Sequence, residues 1–221
     1  MNYEALNWTF MVSRKAIKSC PRPYTLGKRQ EYMDQVRVRI LDAARDLLAK
    51  EDTREFGMDA VARQAGVTRQ TIHNQFGTRS ALLEALFDRM AMRGGIASMP
   101  VVMQQADPVV MLQMFVETFA GFWSSDRVAI RRIHALAVLD PELGRIDRAR
   151  NERRRMAASR VVDALYRRFG KPLAPDRSDA VGLLFTVTSF EFFDTFGGSR
   201  SLEKVCPSIV RLVMNALQIS S

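Results

Sequence analysis

The sequence GMDAVARQAGVTRQTIHNQFGTRSALL, residues 57–83, contains two short helical segments separated by a glycine. The first segment presents small apolar residues to one side, and Gly66 can take the left-handed backbone conformation that ends a helix sharply. Val67 then points into the core, and Thr68 is a good N-cap for the second segment. There Ile72 and Phe76 lie four residues apart, which places both on one buried face.

The other side of this second helix is polar and faces outward. Such an arrangement is typical of a helix-turn-helix, whose second helix enters the DNA major groove with its N-terminal residues against base edges. Arg69 suits guanine, Gln70 suits adenine, and Thr71 suits a phosphate or a thymine methyl group. The candidate DNA contacts are Thr68, Arg69, Gln70, Thr71, His73, Asn74, Gln75 and Arg79. A merely solvated face is the alternative for an isolated helix, and the complete motif argues against it.

The rest of the chain follows the 3.6-residue period of α-helices, without an alternating strand pattern or a repeat. Asp107-Pro108 and Asp140-Pro141 predict helix starts, because Asp caps free amides and Pro tolerates the first helical position. Asp126 predicts a third start. The other expected helices cover residues 33–50, 58–65, 69–75, 78–94, 176–196 and 202–219. We therefore predict an all-α fold of about nine helices, with a boundary near residues 90–95.

The segment around Gly66 resembles the DNA-binding domain of the tetracycline-repressor (TetR) family of regulators. The spacing of the family pattern holds without a gap over about 25 residues. The matching residues are Val61-Ala62, Ala65-Gly66-Val67-Thr68, Thr71-Ile72, Phe76, and Thr78-Arg79 with Leu82. The Asp140-Pro141-Glu142-Leu143 start of the long helix is also similar to that of the family.

Four positions depart from the family pattern. His73 replaces a Tyr and Gln75 replaces a His, yet both can still donate a hydrogen bond to phosphate. Arg79 replaces a Lys and remains cationic beside a helix N-terminus. Gly57 replaces a capping Thr, which removes one side-chain phosphate contact and costs the helix only a few tenths of a kcal/mol.

The resemblance implies a domain organisation and a function. It implies a three-helix, homeodomain-like helix-turn-helix domain at residues 31–78, a linking helix at 79–96, and a helical effector-binding and dimerisation domain at 97–221. It further implies a transcriptional regulator, and we expect a repressor that a small-molecule effector releases from a palindromic operator in double-stranded DNA.

Composition and charge indicate a globular protein that binds a polyanion. The 221 residues are 47% hydrophobic and 26% charged, which is too apolar for disorder, and no uncharged apolar run reaches the roughly 18 residues of a membrane span. No signal-peptide core is visible, so we expect a cytoplasmic protein. The net charge of +9 favours polyanionic partners. The Arg-rich stretch over 150–160 is interpreted as a solvated face.

The basic N-terminal extension, residues 1–30, holds six Lys or Arg residues against one acidic residue. Three interpretations stay open. It is a flexible arm on phosphates or in a minor groove, a disordered segment, or an overextended start that precedes a true Met11 or Met33.

A homodimer is expected from the last helices. Residues 176–196 are apolar on more than one side, whereas a surface helix shows one apolar stripe. Two such helices meeting their copies form the four-helix interface by which family members dimerise. The expected interface residues are Phe185, Phe192, Phe193, Phe196, Val205, Ile209, Leu212, Val213 and Ala216. The alternative is that these helices are central in a large monomer.

An effector pocket is expected from aromatic residues at helical spacing. The candidates are Phe115, Phe119, Phe122, Trp123, His134, Phe185 and Ser189, with His134 or Ser189 as polar contacts to a small, largely apolar or aromatic effector. An aromatic stripe fits a packed core equally well, and the family resemblance favours a pocket.

An enzyme is not expected, because no phosphate loop, nucleophile elbow, paired-histidine metal motif or dinucleotide fingerprint is present. Cys20 and Cys206 are expected to be reduced thiols, and no Cys/His spacing predicts a metal site, so we expect neither a metal nor a cofactor. The alternative function is an all-helical protein-interaction adaptor without specific DNA binding.

Overall fold

The computed structural model describes residues 23–50, 56–170, 176–198 and 200–219. The chain forms two compact units, Met1–Val38 and Arg39–Ser221. Of the basic extension predicted at residues 1–30, the part up to residue 22 lies outside the described residues. The described part of the first unit is helical, and there Gln30 donates a hydrogen bond to Asp34 one turn later at 3.0 Å.

The described residues form eleven α-helices and no β-strand. The helices are α1 (Pro23–Ala49), α2 (Met58–Ala65), α3 (Arg69–Phe76), α4 (Arg79–Arg93), α5 (Met99–Val102), α6 (Pro108–Ser125), α7 (Arg127–Leu139), α8 (Pro141–Phe169), α9 (Arg177–Val187), α10 (Phe190–Gly197) and α11 (Cys206–Ala216). Short 3-10 turns cover Ile96–Ser98 and Leu202–Val205. None of these helices combines the length and the apolar character that crossing a bilayer requires.

The predicted aspartate caps are confirmed. Asp107 accepts from the Val109 N–H at 2.8 Å at the start of α6. Asp126 accepts from the Ala129 N–H at 3.3 Å at the start of α7. Asp140 caps α8 in the same way, so local chemistry alone fixes where these three helices begin.

The expectation of about nine helices is wrong, and the difference has two sources. Residues 99–102 form the extra helix α5, a single turn that is too short to show a period in sequence. The helix predicted over 176–196 is broken into α9 and α10. Thr188 Oγ donates to the Leu184 carbonyl at 2.7 Å, and Ser189 caps the new helix by accepting from Phe192 N–H at 3.1 Å. Ser189 thus accepts from an N–H that a continuous helix would pair with the Thr188 carbonyl, and that carbonyl accepts instead from Trp123 Nε1.

Two other helix boundaries also differ from the prediction. Helix α1 begins at Pro23 and not near residue 33, because good helix formers such as Lys28, Arg29 and Gln30 extend it beyond its apolar stripe. Helix α11 begins at Cys206, after a 3-10 turn, with Pro207 in its first turn.

The core of the second unit lies around α6 and α8. Helix α8 packs against α7 and α9, and α6 packs against α4, α8 and α11. The helical period predicted for α1 continues into this unit, where Ile40, Ala44 and Leu48 are fully buried.

Four of the predicted dimer contacts belong to this core. Phe193, Val205, Ile209 and Val213 are fully buried inside the protomer, so in this conformation they pack within its own core. The remaining five are at least partly exposed: Phe185, Phe192, Phe196, Leu212 and Ala216.

Candidate nucleic-acid interface

A glycine turn sets the angle between α2 and α3. Gly66 has φ 64° and ψ 40°, the left-handed conformation that was predicted for it. The Val67 N–H donates to the Ala62 carbonyl at 3.0 Å, which closes the end of α2 as in a Schellman motif. Thr68 Oγ then accepts from the Thr71 N–H at 3.1 Å and caps α3. The helix-turn-helix geometry is therefore encoded locally.

One side of α3 anchors it. Ile72 is fully buried, as predicted, whereas Phe76 and Val67 are only half-buried. Phe76 is the last residue of α3 and lies next to the exposed Gly77, where less of the protein covers it.

The opposite side of α3 is open to solvent. Thr68, Arg69, Gln70, His73 and Asn74 are exposed; Thr71, Gln75 and Arg79 are half-buried. Gln70 Nε2 donates to Asn74 Oδ1 at 2.8 Å along this face, and the hydroxyls of Thr68 and Thr71 lie 2.9 Å apart. These two contacts restrict the orientation of Gln70 against Asn74 and of Thr71 against Thr68.

A second glycine brings α4 back to the same surface. Gly77, with φ 75°, donates its N–H to the His73 carbonyl at 2.7 Å and ends α3. Thr78 caps α4 by accepting from the Ala81 N–H at 3.0 Å. This turn places Arg79 beside the exposed face of α3.

An open groove of about 550 Å³ runs along this surface. Its lining residues are Met58, Asp59, Arg69, Gln70, His73, Gly77 and Arg79. Four of them, Arg69, Gln70, His73 and Arg79, were predicted as DNA contacts. The prediction missed Met58 and Asp59, because both belong to α2 and no periodicity links them to the later helix.

Arg79 has a partner that the sequence did not suggest. Its Nη1 donates to Asp140 Oδ2 at 3.4 Å, and its guanidinium lies 5.4 Å from the centre of the Phe56 ring. The side chain is 34% exposed, so it remains accessible from the groove. Arg79 therefore connects the groove to the start of α8.

Further arginines form ion pairs between α8 and α4 and between α1 and the cap of α7. Arg150 of α8 pairs with Asp88 and lies 4.6 Å from the centre of the Phe87 ring. Arg45 of α1 pairs with Asp126, the cap of α7. The expectation that the Arg-rich stretch of α8 is a solvated face is therefore wrong for Arg150, which is 15% exposed, and for the buried Arg154.

The predicted effector residues on α6 pack against one another. Phe115 and Phe119 have ring centres 5.0 Å apart, and those of Phe122 and Trp123 are 4.4 Å apart. All four are buried. In this conformation the four rings form a packed core, which was the alternative to an effector pocket.

His134 joins this aromatic cluster from α7. Its ring centre lies 5.8 Å from that of Trp123 and 5.2 Å from that of Phe190. Nδ1 pairs with Glu191 Oε1 at 2.8 Å, whereas the buried Nε2 has no hydrogen-bond partner among the described residues. The Glu191 carboxyl has its pKa lowered to about 2, mainly by the hydrogen bond to His134.

Phe185 and Ser189 do not contribute to the cluster as predicted. Phe185 lies against two guanidinium groups, those of Arg154 at 3.9 Å and Arg155 at 4.3 Å from its ring centre. Ser189 uses its hydroxyl to cap α10. The sequence offered no signal for either role, since the first depends on the packing of α8 against α9 and the second on the break between α9 and α10.

No cluster of three or more His, Cys, Asp or Glu side chains placed to hold a metal ion occurs in the described part of the chain. Cys206 is a buried free thiol, and Cys20 lies outside the described residues.

Comparisons with known proteins agree on the type of fold and motif. The sequence profile of "Bacterial regulatory proteins, tetR family" matches residues 40–86. HTH-type transcriptional regulator AlkX of Mycobacterium tuberculosis is 42% identical over 71 residues, which are 32% of this chain and 32% of that protein. The match therefore spans about a third of this curated relative.

Solved structures of low sequence identity share the fold over most of this chain. A TetR transcription regulator from Haloarcula marismortui superposes with a TM-score of 0.65 at 15% identity, over 84% of this chain and 97% of that one. FadR from Bacillus subtilis, solved with stearoyl-CoA, superposes with a TM-score of 0.60 at 16% identity, over 81% and 98%. At this identity the likeness concerns the fold alone.

Proposed function

This chain belongs to the tetR family of bacterial regulatory proteins, and from that premise we propose that it is a sequence-specific DNA-binding repressor of transcription. One observation carries the proposal. Helix α3 is anchored by the fully buried Ile72 and by the Gly66 turn, and Arg69, Gln70 and His73 are exposed on an open groove. A helix held by one side and polar on the other suits insertion into a major groove.

We assign base contacts and phosphate contacts to different side chains of the groove. Arg69 and Gln70, at the start of α3, read base edges. Thr68, Thr71, His73, Asn74, Gln75 and Arg79 hold the phosphate backbone or the neighbouring bases. Phosphate contacts fix the register of the helix and base contacts specify the sequence.

We further propose that two copies bind one palindromic operator. Phe196 and Leu212 are large apolar side chains that are 39% and 43% exposed in the protomer, and a dimer that covers them would remove apolar surface from water. Such a dimer sets two α3 helices about 34–36 Å apart, the spacing of one helical turn of DNA, or a multiple of it.

The effector proposal rests on His134. Its buried Nε2 lacks a hydrogen-bond partner among the described residues, and aromatic rings surround it. A small, largely apolar or aromatic effector with one polar group would give this nitrogen a partner after opening the cluster. It changes DNA affinity only if it binds the two conformers of the repressor unequally.

Selection of bound fragments from random duplex DNA by the full chain tests the proposed function. We expect a palindromic consensus, and Arg69→Ala should lose the preference at one base pair of each half-site, worth about 1–3 kcal/mol. Arg153→Ala, on an exposed position of α8, is the matched control and should select the wild-type consensus. Recovery of fragments without any shared sequence would contradict sequence-specific binding and would support an adaptor.

A further inference from the structure

An acidic residue lies on the proposed DNA-facing groove, in contact with the first residue of α3. Arg69 Nη1 donates to Asp59 Oδ2 at 3.0 Å. Asp59 is in the first turn of α2, and both side chains line the same groove as Gln70 and His73. In the proposed function, this carboxylate would lie near the phosphates of a bound duplex.

The ion pair itself contributes little to folding, although Asp59 alone suits the N-terminal end of α2. The side chains of Arg69 and Asp59 are 68% and 61% exposed, and ion pairs at such exposure contribute little to stability. For DNA binding in general Asp59 is unfavourable, because like charges repel. Its place on the groove is explained if it acts through Arg69 on the choice of sequence.

The ion pair with Asp59 leaves Arg69 able to bind a guanine base. A guanidinium has five N–H donors, so a bond from Nη1 to Asp59 leaves enough donors for the two bonds to guanine O6 and N7. The contact restricts a long side chain before binding, which reduces the conformational entropy lost when the base is read. It also keeps Arg69 from turning to a phosphate when the base is wrong.

We propose that Asp59 is a specificity-determining positioning residue: it orients Arg69 toward a guanine of the operator and weakens binding to every other duplex. The proposal rests on the proposed function, in which α3 reads DNA. Asp59 does not itself need to contact a base.

The test compares Asp59→Ala and Asp59→Asn with the wild type on three duplexes: the selected operator, the operator with the Arg69-contacted base pair replaced, and an unrelated sequence. Wild-type discrimination between the first two should be about 5- to 150-fold. Asp59→Ala should bind the unrelated duplex at least about threefold more tightly and lose most of that discrimination. Asp59→Asn should show the same gain on unrelated DNA but keep part of the discrimination, because the amide oxygen still accepts from Arg69.

Two controls separate positioning from a structural role. In an Arg69→Ala background, Asp59→Ala should change the discrimination no further. Glu152→Gln, on an exposed position of α8, removes a negative charge far along the chain and should leave both affinities unchanged. Thermal melting of each variant checks that α2 is folded.

The outcomes are distinguishable. Equal loss of affinity for all three duplexes in Asp59→Ala, with discrimination intact, would overturn the positioning role and leave a structural one. A wild-type protein that binds all three duplexes alike would instead overturn the proposed function.

Discussion

Asp140 uses its two carboxylate oxygens for two different helices, and Arg79 is the partner at one of them. Oδ2 accepts from Arg79 Nη1 and from Ser80 Oγ, each at 3.4 Å, at the start of α4. Oδ1 accepts from the N–H groups of Glu142 and Leu143 at 3.0 and 3.1 Å and caps α8. One carboxylate therefore joins the helix that follows the groove to the longest helix of the chain.

The cap at Asp140 should be replaceable by asparagine but not by alanine. Asn accepts from the same backbone N–H groups, so Asp140→Asn should stay close to the wild-type free energy of unfolding. Asp140→Ala leaves those groups without a side-chain acceptor and should lose about 1 kcal/mol more. Urea unfolding at pH 7 measures both. Equal losses in the two variants would mean that the cap contributes nothing.

Release of Arg79 from Asp140 should strengthen DNA binding. In Asp140→Asn the side chain loses its negative charge, so Arg79 is freer to bind a phosphate, and affinity should rise evenly across sequences. Arg79→Ala should do the opposite and reduce the slope of log affinity against log salt by about 1. A salt-titrated mobility shift assay with operator and unrelated DNA measures both. A change confined to one base position would contradict a phosphate contact.

Gly66 should resist substitution for reasons of backbone geometry alone. Nothing lies within 4 Å of the position that a Cβ would occupy, yet φ is 64°, a conformation that costs other residues about 1–2 kcal/mol. Gly66→Ala should therefore lower the free energy of unfolding by that amount. Gly57→Ser is the matched control: φ there is −156°, extended backbone, and the new cap should stabilise α2 by a few tenths of a kcal/mol. Thermal unfolding of both variants would show opposite shifts.

The parts of the fold that sequence could predict are those with local causes. Asp107, Asp126 and Asp140 cap their helices through backbone groups two or three residues away, and this chemistry is visible in the sequence. The break between α9 and α10 was not predicted: the Ser189 cap is a local cause, but a second cause is remote in sequence. Trp123 Nε1 donates to the Thr188 carbonyl at 3.0 Å across 65 residues.

The same distinction applies to the candidate interface. The exposed face of α3 could be predicted, because Ile72 and Phe76 lie four residues apart and mark the opposite face as the buried one. The side chains that hold this face in place were missed, because their partners are remote in sequence: Arg69 pairs with Asp59 and Arg79 with Asp140. No period in the sequence connects such pairs.

Arg154 should be essential for stability although it lies far from the groove in sequence. It is 7% exposed, and its Nη1 donates to the Phe185 carbonyl at 2.5 Å in the last turn of α9. Burial lowers its pKa to about 10, so it stays charged at pH 7 and suits the negative end of that helix. Arg154→Ala removes a hydrogen bond from a charged donor and leaves the Phe185 carbonyl with only the 3.3 Å contact from Thr188 Oγ, which should cost about 1.5–3 kcal/mol. Arg153→Ala, exposed on the same helix, should change the free energy of unfolding by less than about 0.5 kcal/mol.

The contact between His134 and Glu191 predicts a loss of stability in acid. The hydrogen bond from His134 lowers the pKa of the Glu191 carboxyl from 4.5 to about 2, so the folded state binds this proton less readily than the unfolded state does. The contribution is complete above pH 4.5 and is lost as the pH falls from 4.5 toward 2. Solvent screening keeps it small, because the Glu191 side chain is 68% exposed. The difference in free energy of unfolding between the wild type and Glu191→Gln should therefore shrink as the pH falls from about 4.5 toward 2. The same substitution in a His134→Gln background should show a much weaker pH dependence, and an unchanged one would mean that His134 is not the cause.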